Sequence, residues 1–220
     1  MMKKAIIFDL DGTLADTIPA ITEGINRAMR RLGYPDRSEE EIRSFINHGA
    51  RHLIRCAIPR EYWDDDQAID HALEVYNKSY GEVVLLTDKT YDGVRELVEK
   101  LHTSYKIGVL SNKQDIYVKQ LSHVLLGDEN YDAAQGVAPG HPTKPHPYLP
   151  QKIAAELGVA TEDCIMIGDS DIDLLTAEGA GMTHIAVTWG FRSEEFLIEK
   201  GAKNIAHNVR ELEKLIQNLA

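Results

Sequence analysis

The chain has 220 residues, 43% of them hydrophobic and 27% charged, with a formal net charge of -11 at pH 7. That size and balance describe a globular protein of one large domain, or a domain with a smaller partner, able to bury its apolar side chains without disulfide staples. The acidic surplus argues against nucleic acid or an anionic membrane as a partner. No apolar stretch approaches the ~20 residues of a membrane span.

The start, Met1-Met2-Lys3-Lys4, is basic, but only the four apolar residues 5–8 follow it, too few for the core of a signal peptide. Those four read as a buried strand. Asp9, Asp11, Gly12 and Thr13 come directly after it. Residues 15–86 then hold about four helical patterns and little strand signal. Ser38 with Glu41 three positions on is a capped helix start, and Ile42, Phe45 and Ile46 follow it. Ala68, Ala72, Val75 and Tyr76 recur at helical spacing further along. This stretch reads as a helical insertion that leaves and re-enters beside Asp9 and Asp11, a natural lid. Cys56 lies within it and Cys164 far beyond, without metal-type spacing, and both read as reduced thiols of a cytoplasmic protein.

Past residue 87 short apolar runs alternate with helical patterns. Strands are expected at 106–110, 131–134, 164–167, 184–187 and 204–206. Helices are expected at 92–103, 115–125, 148–157, 172–177, 193–200 and 209–218. Alternation of this kind predicts an α/β fold with a parallel sheet. Ligands of such sheets bind beyond the carboxyl ends of the strands. The expected strand ends carry Asp9 and Asp11, Ser111 and Asn112, and Asp169, Asp171 and Asp173. Lys144 precedes a later helix.

Acids, one hydroxyl and one lysine converging on one edge suit Mg²⁺-assisted phosphoryl transfer. Asp9 and Asp169 supply hard carboxylate oxygens and a backbone carbonyl near Asp11 a third. Asp9 is placed as a carboxylate nucleophile and Asp11, two residues on, as the acid/base near the leaving oxygen. Ser111 and backbone N–H groups bind phosphoryl oxygens while Lys144 neutralises charge. Gly12 and Thr13 let the chain turn sharply and begin the lid.

The segments "DLDGTLADT", "LSNK", "TKPHP" and "GDSDIDLLTA" resemble the four ordered motifs of the haloacid dehalogenase-like (HAD) phosphatases, and within them the phosphoglycolate phosphatases and their relatives. The resemblance covers nearly the whole chain. It implies a Rossmann-like core at 1–14 and 87–220 with an inserted all-helical cap at 15–86. It implies Asp9 as nucleophile, Asp11 as acid/base and Lys144 as charge stabiliser. Phosphate contacts are expected from Ser111, Asn112, Gly12 and Thr13. The metal set is expected from Asp9, Asp11, Asp169 and Asp173, with Asp173 anchoring a metal-bound water or Lys144 and Asp171 outside that shell. The stretch "NHGARHL" resembles the specificity loop of related caps, so Asn47, His48 and Arg51 are candidates for substrate contact.

The expected activity is Mg²⁺-dependent hydrolysis of small phosphorylated metabolites through an aspartyl-phosphate, by a monomer or homodimer. A phosphosugar mutase of the same superfamily is the alternative enzyme, separable by turnover of hexose phosphate isomers. A receiver-like phospho-aspartate module is the alternative from another class, but its phosphorylated aspartate follows a later strand, where this chain has Ser111. A dehalogenase has no use for Asp11. A phosphonate hydrolase needs a cap lysine, and the insertion offers only Lys78, near its end.

Overall fold

The structure, a computed structural model, describes residues 3–219. It contains β1 (Ala5–Phe8), α1 (Ile18–Leu32), α2 (Glu39–Phe45), α3 (Ala50–Ala57), α4 (Asp66–Gly81), α5 (Val94–His102), β2 (Lys106–Gln114), α6 (Asp115–Leu126) and β3 (Ala133–Val137). There follow α7 (Tyr148–Glu156), β4 (Cys164–Gly168), α8 (Asp171–Ala180), β5 (Thr183–Val187), α9 (Glu194–Glu199), β6 (Ile205–Ala206) and α10 (Val209–Leu219). The chain divides into two compact units, Met1–Asp16 with Lys89–Ala220, and Thr17–Asp88. Among the described residues, no helix is long and apolar enough to cross a membrane.

In the α/β unit six strands form one parallel sheet in the order β3-β2-β1-β4-β5-β6. β1 is central, with β2 on one side and β4 on the other, and helices cover such sheets on both faces. That is why Ala5-Ile6-Ile7-Phe8 is a continuous apolar run, buried at every position, instead of an alternating one. The chain winds outward from β1 to β3, then returns to the other side of β1 with β4. A crevice opens where the order reverses, between β1 and β4. Register aligns the strand ends there: Phe8 sits opposite Val109 of β2 and Ile167 of β4. Asp9, one residue beyond that row, and Ser111 and Asp169, two residues beyond it, are thereby carried to one edge.

Element ends differ from the sequence expectation in explicable ways. β2 runs on to Gln114 because its pairing with β3 resumes after an irregularity between Leu110 and Gln114, which carries Ser111 and Asn112 on the strand extension. β3 is displaced towards Val137 and includes the buried Gln135. α5 starts at Val94, not near Asp92, because Gly93 precedes it in the left-handed region at φ 77°. α8 reaches Ala180, ending where Gly181 adopts φ 72° and its N–H bonds the Ala177 and Glu178 carbonyls.

The helical unit packs α1 mainly against α4, and α3 against both α4 and α2. Gly24 permits the α1–α4 approach, since a Cβ there would lie 3.0 Å from the Tyr80 ring. α2 has the expected capping box. The Ser38 Oγ accepts from the Glu41 N–H at 3.2 Å, and the Glu41 carboxylate accepts from the Ser38 N–H at 2.9 Å. Asp65 caps α4 by accepting from the N–H groups of Gln67 and Ala68, both at 3.0 Å.

Candidate active site

The turn after β1 is fixed by its own backbone. The Asp9 N–H donates to the Ile167 carbonyl at 2.8 Å, tying the first acid to β4. The Gly12 N–H donates to the Ala15 carbonyl at 2.9 Å, and the Trp189 indole N–H donates to the Thr13 carbonyl at 3.1 Å. Gly12 has φ 85°, and a Cβ on it would sit 2.5 Å from Asp169 Oδ2, so glycine is required for both reasons. The acid-bearing loop and Asp169 are thus in backbone contact.

Asp9, Asp169 and Asp173 are buried, and one carboxylate oxygen from each lies within 4.8 Å of the others. Each is held separately. Asp169 accepts from the Thr13 hydroxyl at 3.1 Å and from the Phe191 N–H at 2.7 Å. Asp173 completes a capping box with Ser170 at the start of α8. Its Oδ2 accepts from the Ser170 hydroxyl at 2.6 Å, leaving Oδ1 for Lys144. Lys144 is itself buried, its ammonium 2.9 Å from Asp9, 2.7 Å from Asp173 and 3.3 Å from the Leu110 carbonyl.

Burial and the neighbouring Asp173 push the Asp9 carboxyl well above the usual carboxylate range, with Lys144 opposing. Burial and Asp173 likewise push Asp169 up to about 7, against the Phe191 N–H and the Thr13 hydroxyl. For Lys144, burial acts to lower the pKa, but Asp173 and Asp9 outweigh it and hold the ammonium above its ordinary value. When all three acids are ionised, one ammonium leaves two negative charges among buried side chains, and a cation is what would favour that ionised state. The donor atoms are hard oxygens with no imidazole or thiolate among them. In charge and in chemistry the set fits a divalent cation such as Mg²⁺.

Asp11 stands apart from this cluster. Its Oδ2 accepts from the Ser111 hydroxyl at 3.2 Å and its Oδ1 is 3.0 Å from the Lys113 ammonium. Asn112 clamps the backbone of Lys144: its Oδ1 accepts from the Lys144 N–H at 2.7 Å and its Nδ2 donates to the Lys144 carbonyl at 3.0 Å. Of the residues expected at one edge, Asp9, Lys144, Asp173 and Asn112 share one contact network, Thr13 and Gly12 contact Asp169, and Asp11 pairs with Ser111. Asp171, the first residue of α8, is not in the acidic cluster.

Asn47, His48 and Arg51 belong to the helical unit. Asn47 has φ 80° and stands just ahead of α3. The Arg51 guanidinium donates to Asp66 at 2.5 Å and to Asp70 at 3.0 Å, both at the start of α4. Sequence reasoning missed Lys113, Ser170 and the Trp189 and Phe191 contacts. Lys113 sat inside the quoted "LSNK", and its place two residues beyond Ser111 was the signal that could have found it.

A model of the haloacid dehalogenase-like hydrolases matches residues 6–187 of the chain. A phosphoglycolate phosphatase of Xanthomonas campestris pv. campestris (strain 8004) is 31% identical over 195 residues, covering 86% of this chain and 85% of the relative. One from Colwellia psychrerythraea is 28% identical, covering 90% of each. The solved structure of a candidate phosphoglycolate phosphatase from Lactobacillus delbrueckii subsp. bulgaricus superposes with a TM-score of 0.87 at 31% identity, over 98% of this chain and 99% of that one. With four ordered motifs meeting at one sheet edge, the chain belongs to the haloacid dehalogenase-like hydrolase family, as a phosphatase of its phosphoglycolate phosphatase-like group.

Proposed function

We propose that the chain is a Mg²⁺-dependent phosphomonoester hydrolase of small phosphorylated metabolites of the phosphoglycolate kind, working through an aspartyl-phosphate on Asp9. The observation that carries this is the place of Asp9. It stands at the end of the central strand, its backbone tied to β4, buried beside the Lys144 ammonium and the Asp169 and Asp173 carboxylates.

Asp9, Asp169 and Asp173 are the residues that would hold Mg²⁺, and the ion when bound screens the anionic substrate from the anionic nucleophile. The Asp9 carboxylate attacks phosphorus, and the bond from phosphorus to the ester oxygen breaks. Asp11 gives its proton to that leaving oxygen. In the second step Asp11 takes a proton from water as the water oxygen attacks phosphorus, the bond to Asp9 breaks, and inorganic phosphate leaves. The Ser111 hydroxyl binds a phosphoryl oxygen, the Gly12 and Thr13 N–H groups being held by the Ala15 and Leu10 carbonyls, while Lys144 offsets the charge that grows there. Asn112 holds Lys144 by its backbone. Its two bonds to that backbone support a positioning role beside the expected phosphate contact.

The unit Thr17–Asp88 serves in this reading as a cap, with Asn47, His48 and Arg51 selecting the leaving group. Arg51 would exchange Asp66 and Asp70 for an anion of the substrate. The same reading has the enzyme acting on free metabolites in the cytoplasm, consistent with two unpaired cysteines.

The test is phosphate release from a panel of phosphorylated metabolites and an aryl phosphate, with and without thorough chelation. Release should fall to background on chelation and return with Mg²⁺. Turnover that persists undiminished in chelator would remove the metal role of Asp169.

A further inference from the structure

A second group of ligand-type side chains, His48, His52 and Cys56, lies within the helical unit. His52 and Cys56 are four residues apart on α3 and so share one face of the helix. The Cys56 sulfur is 3.5 Å from His52 Nε2. The His48 ring, four residues before His52 in the loop leading into α3, lies edge-to-face against the His52 ring with centroids 4.9 Å apart. His52 and Cys56 are half-buried and His48 is exposed, so the first two are restrained while the third ring stands open to solvent.

We propose that His48, His52 and Cys56 form a binding site for a thiophilic divalent ion of the Zn²⁺ class, built on the face of α3 and distinct from the carboxylate site. Zn–S and Zn–N bonds of about 2.3 and 2.0 Å meeting at the tetrahedral angle separate sulfur from nitrogen by about 3.5 Å. That is the separation already present between Cys56 and His52. As the ring stands, His48 does not bring its nitrogen within 4.8 Å of both other donors. Rotation of this exposed ring, whose centroid is 4.9 Å from that of His52, would bring in the third ligand, and water completes the coordination. An imidazole and a thiolate select Zn²⁺ over Mg²⁺, which seeks hard oxygens.

The neighbouring charges permit a cation here. The Arg55 guanidinium turns to the Trp63 carbonyl at 2.8 Å and to Asp64 at 3.3 Å, and Arg51 is neutralised by Asp66 and Asp70. Burial, with help from His48 and Arg55, lowers the His52 pKa, which keeps a ring nitrogen free to ligate. Burial raises the Cys56 thiol pKa. The thiol therefore carries its proton before binding, and each ion bound releases one proton to solvent as the metal–sulfur bond forms. Such a clip would tie the loop at Asn47–Gly49, where both of those residues have positive φ, to the body of α3.

The test is titration of the whole reduced protein with Co²⁺ in excess Mg²⁺, read by the thiolate-to-cobalt charge-transfer band, then displacement by Zn²⁺. The carboxylate site offers no sulfur, so its occupancy gives no such band. Wild type and Cys164→Ala should show the band and lose it to Zn²⁺. Cys56→Ser should lack it. His52→Gln and, less severely, His48→Gln should weaken Zn²⁺ binding, His52→Gln by roughly tenfold or more. In wild type, Zn²⁺ should protect Cys56 from alkylation, read by peptide mass mapping, a measurement that needs no variant to fold. A missing band with unprotected Cys56, or equal Zn²⁺ binding by wild type and Cys56→Ser, would leave a thiol–imidazole hydrogen bond only and overturn the site.

Discussion

Among the described residues, the α/β unit buries five charged-type side chains, Asp9, Lys144, Asp163, Asp169 and Asp173, whereas the buried polar side chains of the helical unit, Thr17, Asn26, Ser79 and Thr87, are all neutral. The helical unit keeps its charges at the surface and satisfies them locally. Arg27, Arg30, Arg31, Arg37, Arg51 and Arg55 each meet a carboxylate of the same unit. Taking a charge out of water costs several kcal/mol per ion unless a partner repays it. Exposed pairs contribute about 0–1 kcal/mol each. Surface exposure and local pairing therefore account for the charges of the helical unit, while the acids and lysine buried around the end of β1 are retained at a cost that packing does not explain. The difference separates residues held for chemistry from residues held for solubility.

The largest effect should come from removing the one ammonium in the buried cluster. Lys144→Ala leaves Asp9 and Asp173 without their partner. We expect turnover to fall by roughly a hundredfold to a thousandfold and stability to fall by about 3–5 kcal/mol, read by steady-state kinetics and thermal unfolding. Turnover within a factor of about two of wild type would show that the buried charge is structural only.

A smaller effect separates two glycines with positive φ, one in each unit. Gly12→Ala meets both the left-handed backbone and Asp169, and should cost about 1–3 kcal/mol and most of the activity. Gly33→Ala at φ 75° after α1 meets open space, and should cost about 1 kcal/mol while leaving turnover of an aryl phosphate unchanged. Equal losses of activity would erase the distinction between the units.

The smallest effect on stability belongs to Arg51. Its two ion pairs are exposed, so Arg51→Ala should destabilise by less than about 1 kcal/mol. If Arg51 also grips a second anion of the substrate, kcat/KM for a carboxylated phosphomonoester should drop by about tenfold for each 1.4 kcal/mol lost, and hydrolysis of an aryl phosphate should hold. Parallel losses for both substrates would return Arg51 to the fold of the helical unit.

What the sequence made legible follows the same division. The apolar run before Asp9 announces a central strand because both its faces are buried, and the acids after it have no packing reason to be there. Ser38 and Glu41 announce α2 because a capping box is local. The contacts that complete the site are not local. Nothing near Asn112 says that its amide will grip the backbone of Lys144, 32 residues away. Nothing near Lys113 says that β2 continues past Ser111, because that extension depends on pairing with Val137 of β3. Arg51 reads as a free cation in sequence because Asp66 and Asp70 reach it only when α3 packs on α4.

The central claim is that the buried carboxylate at the end of β1 becomes phosphorylated. The direct measurement is rapid acid quench of the Mg²⁺-loaded enzyme during turnover of a radiolabelled phosphomonoester, with the label mapped to a peptide. The account predicts transient label on the peptide containing Asp9 in wild type and none in Asp9→Asn. Label of equal amount in both proteins, or turnover by Asp9→Asn at the wild-type rate, would contradict it.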